Sequence, residues 1–186
     1  MVFSNPSELA PKEAMVDNAG MLATHRLVDR LDLELEASER EHGYAESFDR
    51  DQRPHHDYHT KILGYELPQG TTAVRDEGRR IFHQASWRIT GVAADRDLVM
   101  VVRHDRNAFS QYRVFVNGRP APHLLRFNRD DESWVEVSVV IPSDLLVNGT
   151  NEINLTREGS NTEVAELYHI WFLQTTAAEK SPEKTP

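Results

Sequence analysis

The sequence predicts an all-β protein: an antiparallel β-sandwich or jelly roll of roughly eight strands. Three observations carry that expectation. First, apolar residues recur with period two. In "RLDLELE", Leu31, Leu33 and Leu35 share one face, and Asp32, Glu34 and Glu36 the other. In "WVEVSVVI", Val135, Val137, Val139 and Ile141 oppose Trp134, Glu136 and Ser138. Antiparallel strands with one wet face alternate in this way. Second, Asn-Gly pairs lie between apolar runs, in "VNGRP" at 116–120 and "VNGTN" at 147–151, and read as two hairpin turns. Third, no long amphipathic helix pattern separates the strands, which removes a helical core or a parallel βαβ sheet.

Taken in order, the chain starts with Ser7 before "ELAPKEAM", a capping-type helix start cut short by Pro11. Residues 1–24 are therefore expected to form an extension with a short helical segment. "KILGYEL" and "RIFHQASWRIT" follow as strands. "LVMVVRH", Leu98 to His104, is apolar without alternation and reads as a central strand. "QYRVFVN" turns Tyr112, Val114 and Val116 one way. "IPSDLL" ends a strand at Pro142 and makes one helical turn. "EINLTR" and "VAELYHIWFL" complete the set, so 25–174 is the expected sandwich. The small, charged and proline-bearing residues 175–186 form an expected disordered tail. Trp87 and Trp171 lie in dense apolar strands and are expected in the core. Trp134 is expected under the N-terminal segment.

Composition narrows the function classes. A chain of 186 residues suits one domain with a well-buried core. Its 39% hydrophobic and 27% charged residues are ordinary for a soluble protein. No apolar run is long enough for a membrane span. The start has no basic region followed by an apolar stretch. The sequence as given thus reads as cytoplasmic, or as extracellular if an export signal was removed. Without cysteine there is no disulfide, thiolate catalysis or cysteine-ligated zinc or iron–sulfur cluster. A net charge of −9, with no basic run longer than Arg79–Arg80, speaks against nucleic acid or an anionic membrane as partner.

The back half carries an ordered set of pieces: Val114–Gly118, Trp134, Pro142, Leu145–Leu155 and Leu167–Leu173, or "VFVNG…W…P…LLVNGTNEINL…LYHIWFL". This resembles the galactose-binding-like β-sandwich of carbohydrate-binding modules and accessory domains of carbohydrate-active enzymes. The front piece "LDLELEASEREHGYAES" is similar to the opening strand of such accessory domains, with the acidic "SE-x-x-H" turn at Ser38, Glu39 and His42. The resemblance implies a carbohydrate ligand, with a carbohydrate-active enzyme or self-association as further partners. Some such modules hold structural calcium between first-strand acidic residues and a last-strand aspartate. Glu34 and Glu36 match the first part, but the last strand has Glu166 nearby and no aspartate. Calcium needs six to eight oxygens, more than two carboxylates supply.

The densest cluster of candidate residues is "RPHHDYHTK", Arg53 to Lys61. In an extended chain His55, Asp57 and His59 project to one side, a donor set suited to zinc, iron or manganese. The same segment also fits an edge strand protected by Pro54 and charge, or a loop that hydrogen-bonds a polar ligand. The polar stretch Glu39 to His56 offers Tyr44 for stacking on a sugar and Glu46, Asp49, Arg50, His55 and His56 for its hydroxyls. A second loop, "RHDRNAFSQY", adds His104 and Arg106, and the two could rim one site. No nucleophile elbow, HExxH motif or phosphate-cradling loop appears, so no catalytic residue is assigned. The expectation is a noncatalytic carbohydrate-binding domain. The alternatives are a small metal-dependent jelly-roll enzyme using His55–His59, and a structural domain that oligomerises.

Overall fold

The computed structural model describes residues 14–15, 20–48, 53–54, 58–67, 70–104, 110–127, 135–159 and 164–176, and side chains at all of these except 48, 53–54, 58–67, 70–75 and 135. They form twelve strands: β1 (His25–Asp32), β2 (Ala45–Phe48), β3 (Arg53–Pro54), β4 (Tyr58–Leu67), β5 (Gly70–Arg80), β6 (Gln84–Val92), β7 (Leu98–His104), β8 (Ser110–Val116), β9 (Arg119–Phe127), β10 (Val135–Ile141), β11 (Gly149–Glu158) and β12 (Glu166–Thr175). One helix, α1 (Glu36–His42), and 3-10 turns at Met21–Ala23 and Ser143–Leu145 complete them. The first sheet runs β10-β7-β12-β5-β4, with β1 also paired to β12; the second runs β3-β2-β6-β11-β8-β9. The pairs are antiparallel. This is an all-β sandwich, as the alternation predicted.

The core lies between the sheets. Trp87, Ile89, Tyr112, Val114, Ile153 and Leu155 from the second sheet meet Leu31, Met100, Val102, Ile170 and Phe172 from the first. Each large apolar side chain so buried contributes about 1.5–3 kcal/mol before its ordering entropy. β7 is buried at every position and β12 at all but Thr175, because both of their faces are covered. Their outward residues Val99, Val101, Trp171 and Leu173 form a second cluster with Met15 and Met21. The part of the N-terminal segment that holds Met15 thus lies against the outside of the first sheet. Arg103 fastens it there: its guanidinium donates to the Ala14 carbonyl (2.7 Å) and to Glu136 (2.6 Å), and sits 4.8 Å from the Trp171 ring centre. Trp171 is buried in this outer cluster and not between the sheets. Trp134 lies outside the described residues.

Several details differ from the sequence expectation. β1 ends at Asp32, so Leu35 is not a core residue and stays 49% exposed. The chain turns there because Asp32 Oδ1 accepts the Glu34 N–H (3.0 Å) and the Asp32 N–H donates to Ser38 Oγ (3.0 Å). "RIFHQASWRIT" is broken at Ile81–His83 into the end of β5 and the start of β6. The β8–β9 turn is the expected hairpin, with Asn117 at φ 51° and Gly118 at φ 77°. "VNGTN" is not a hairpin, because β10 and β11 belong to different sheets and the segment crosses between them. The predicted helical turn after Pro142 is present at Ser143–Leu145.

The two Asn-Gly motifs are tied together. Asn117 Nδ2 donates to the Leu145 carbonyl (3.1 Å) and to Asn151 Oδ1 (2.9 Å), and Asn117 Oδ1 accepts the Glu152 N–H (3.0 Å). Asn151, 1% exposed, also accepts the Val147 N–H and donates to the Val147 carbonyl, both at 2.8 Å. The repeated "V-N-G" and "G-x-N" pieces therefore form one hydrogen-bonded knot that joins a hairpin to a sheet crossing.

Candidate functional site

The segment expected to be a long polar loop folds as α1 followed by β2. α1 closes in a Schellman arrangement: Gly43 (φ 60°) and Tyr44 return their N–H groups to the carbonyls of Arg40 (3.2 Å) and Glu39 (2.8 Å). The helix places each member of "SE-x-x-H". Ser38 holds the end of β1. Glu39 accepts Arg79 Nε at 2.6 Å and Nη2 at 2.7 Å, a two-pronged contact between side chains 9% and 2% exposed. His42 places Nδ1 2.7 Å from the Ser38 carbonyl and Nε2 3.2 Å from Asp29 Oδ1. Both ring nitrogens face acceptors, a geometry that suits the imidazolium. The Asp29 contact raises the His42 pKa above its usual value, against an opposing effect of burial. Burial pushes Asp29 up, but His42 and the N–H groups of Thr90 and Arg30 outweigh it, and the Asp29 pKa is lowered. The motif fastens α1 to β1 and β5, and Asp29 carries the tie on to Thr90 of β6.

Tyr44 stacks on Trp87 (6.4 Å between ring centres) and its hydroxyl donates to Glu46 Oε2 at 3.3 Å. Burial, reinforced by the Glu46 carboxylate, raises the Tyr44 phenol well above its ordinary pKa. Glu46 is 7% exposed. His104 is fully buried, its ring 4.5 Å from Phe127. Burial also raises Tyr112 to a pKa of about 12, where its hydroxyl bridges the Ile81 carbonyl and the Ala165 N–H. Glu46 and His104 therefore stand beneath the surface as supports, and Tyr44 is partly buried against the core.

Of the expected calcium carboxylates, Glu34 lies in the turn after β1 and Glu36 is the first residue of α1, so they do not share a strand face. Glu166 accepts Arg80 Nε at 2.8 Å. His59 lies in β4; its side chain and all of Asp49, Arg50, His55, His56, Asp57 and Arg106 lie outside the described residues. Among the described residues no three His, Asp or Glu side chains are grouped to hold a metal.

Sequence reasoning missed a buried polar cluster on the first sheet. His169 stands with Nδ1 3.8 Å from Asp32 Oδ2 and Nε2 3.5 Å from Asp76 Oδ2, stacked on Trp171 at 5.3 Å. A histidine inside the apolar run "LYHIWFL" was the available signal. Its carboxylate neighbours, 93 and 137 positions upstream, carried none.

The strand ends bring the two expected ligand loops to one end of the sandwich. Val135 and Leu167 both pair with His104, and Ser110 pairs with Phe127. Ser47 pairs with Gln84, which pairs with Thr156. The Arg157 N–H reaches the His83 carbonyl, and Tyr112 bridges Ile81 and Ala165. Connections 49–52, 105–109 and 128–134 therefore leave and re-enter from the same end. The Asn117–Asn151 knot lies at the other.

The class defined by these features is a two-sheet antiparallel β-sandwich with a polar loop end and a hydrogen-bonded knot opposite. No protein-family model and no curated protein matches the sequence. Among solved structures, the chain is similar to a family 35 carbohydrate-binding module from Clostridium thermocellum, at 16% identity over 62% of this chain and 91% of that one, with a TM-score of 0.40. It is also similar to a family 35 module from an environmental isolate, at 19% identity over 73% and 98% of the two chains, with a TM-score of 0.41. A third similarity is to part of an exo-beta-1,3-galactanase from Phanerochaete chrysosporium in complex with galactose, at 16% identity over 77% of this chain and 29% of that one, with a TM-score of 0.43.

Proposed function

We propose that this chain is a noncatalytic carbohydrate-binding domain whose ligand meets the loop end of the sandwich. The observation that carries the reading is the departure of connections 49–52 and 105–109 from one end, beside partly buried Tyr44 and buried Glu46 and His104. Loops on a rigid scaffold are where ligand contacts concentrate. Asp49, Arg50, His55, His56 and Arg106 are the contacts in this reading, and Tyr44, Glu46 and His104 hold the strand ends in place. The motif resemblance supplies the ligand class. The reading assigns no catalytic step and no cofactor.

A glycan array followed by calorimetry tests it. The expected result is binding of a carbohydrate at roughly millimolar affinity or better, about −4 kcal/mol or more favourable. Arg50→Ala with Arg106→Ala is expected to weaken that binding at least about tenfold, or roughly 1.4 kcal/mol. No binding to any glycan, or full binding by that double variant, would overturn the assignment.

A further inference from the structure

An outer strand of a sheet turns unused backbone groups outward. In β10 every second residue points its N–H and C=O toward β7, and the residues between point theirs away from the sheet. Among the described residues no strand pairs with that side. Proteins ordinarily blunt such an edge with proline, lysine, a bulge or a very short strand. The other outer strands carry these devices. β9 holds Pro120 and Pro122. β3 is two residues long and ends in Pro54. β4 has Lys61 and Gly64 in its sequence. β1 shifts register between Leu27 and Asp29 and carries Arg26 and Arg30.

β10 has none of them. "VEVSVVI" contains no proline, glycine, lysine or arginine, and five of its seven residues are β-branched, the strongest strand formers. It pairs with β7 at all seven positions without a register shift. Its one charged residue, Glu136, is held by Arg103 at 2.6 Å, with its side chain 7% exposed. Val137, Val139 and Ile141 face the core. On the opposite face Ser138 and Val140 are exposed, Val140 at 45%.

The segment is also its own complement. Laid antiparallel to a copy of itself about Ser138, Val135 meets the partner's Ile141, Glu136 the partner's Val140, Val137 the partner's Val139, and Ser138 the partner's Ser138. β-Branched side chains then face one another in the core layer, and no like charges stand directly opposed. Pro142, which has no N–H to donate, ends the ladder.

We propose that β10 is a dimerisation edge: two copies of this chain join β10 to β10, giving one sheet continuous across a two-fold axis at Ser138. The ladder is about 23 Å long at the usual rise per residue. Stable interfaces bury about 1,200–2,000 Å², and a seven-residue ladder supplies part of that, so the dimer is expected to have a Kd of roughly 10–100 μM. The antiparallel join points the two loop ends in opposite directions. It does not depend on what those ends bind.

The test is sedimentation equilibrium of the untagged full chain, from roughly 10 μM to 1 mM, a range that brackets the expected Kd. Each copy carries a net charge of −9, so the salt is set at about 0.15 M, which screens charges more than roughly 8 Å apart. Ser138→Lys and Ser138→Asp each set like charges directly across the axis and are expected to weaken the dimer at least about tenfold, with native circular dichroism. An equimolar mixture of the two variants sets opposite charges across the axis and is expected to restore association. The chain has no cysteine, so Ser138→Cys gives an independent reading: the Cα separation of a cross-strand pair, about 4.5–5.5 Å, lies within disulfide range. Under mild oxidation it is expected to cross-link at least about tenfold faster than Val147→Cys at the other end, where Val147 is 49% exposed. Four results would overturn the proposal: a monomer up to roughly 1 mM, a dimer that both charged variants leave unchanged, a mixture as monomeric as its components, or equal cross-linking at the two cysteine positions.

Discussion

Replacing Arg79 by alanine leaves Glu39 as a carboxylate at 7% exposure without the guanidinium that now donates to both of its oxygens. Removing one member of a buried ion pair costs about 3–5 kcal/mol, because the surviving charge stays desolvated. For a domain of this size each kcal/mol shifts the melting temperature by roughly 2–4 °C, so the expected fall is roughly 6–20 °C. The pair also joins α1 to β5 across 40 positions of chain, and the loss should loosen the N-terminal third. The partner control is Glu39→Leu with Arg79→Met, which removes both charges and keeps apolar volume. Such replacements range from neutral to about 4 kcal/mol stabilising, so the double variant should be much more stable than Arg79→Ala. Urea unfolding followed by tryptophan fluorescence measures all three. An Arg79→Ala cost below about 1 kcal/mol, the range of an exposed pair, or a double variant no more stable than the single, would refute the claim that this contact is desolvated.

Three further outcomes are expected. The raised His42 pKa makes its contribution complete below the unfolded value of about 6.5 and lost as pH rises through the folded value; the lowered Asp29 pKa makes its contribution present above about 3.8 and lost as pH falls through its folded value. Urea midpoints should therefore fall between about pH 6 and pH 9 in the native chain and fall less in His42→Gln; parallel curves would remove His42 as the titrating group. At Gly78 an added Cβ would collide with the Leu167 carbonyl oxygen, a backbone atom that cannot swing aside, so Gly78→Ala should cost about 1–3 kcal/mol, and a change under about 0.5 kcal/mol in denaturant would contradict the close approach. Deleting residues 1–20 uncovers Val99, Val101, Trp171 and Leu173, and should red-shift tryptophan emission and raise the mass seen by light scattering; an unchanged spectrum and mass would show that Met15 is not their cover.

What the sequence made legible follows from how local each signal was. β7, β8, β10 and β12 announced themselves through uninterrupted apolar or alternating runs, and the faces read for Val137, Val139 and Ile141 are those that point inward. β9 was hidden because "RPAPHLLRF" carries two prolines, which an edge strand tolerates when their positions face solvent, as Pro120 and Pro122 do. β5 was hidden because "RDEGRR" buries Asp76 and Arg79 through partners distant in sequence. The same distance concealed the His169 cluster. α1 was misread as strand and loop since period two in "LDLELE" continues past the point where Asp32 and Ser38 turn the chain. The "SE-x-x-H" residues were noticed for the right segment, and their geometry makes them fasteners of that segment.

The Asn117–Asn151 knot has a practical consequence for anyone re-engineering this chain. The residues by which the fold is recognised in sequence are spent on a joint at one end, and the ligand-facing connections of the proposed site leave from the other. Motif resemblance therefore reports shared carpentry and a ligand class, and is silent on which member of that class is preferred. For a library builder, the segments 105–109 and 128–134 are the places to randomise, while "VNG" and "GTN" are the places to leave alone. Selection on such a library can alter what the molecule holds without renegotiating how it stands.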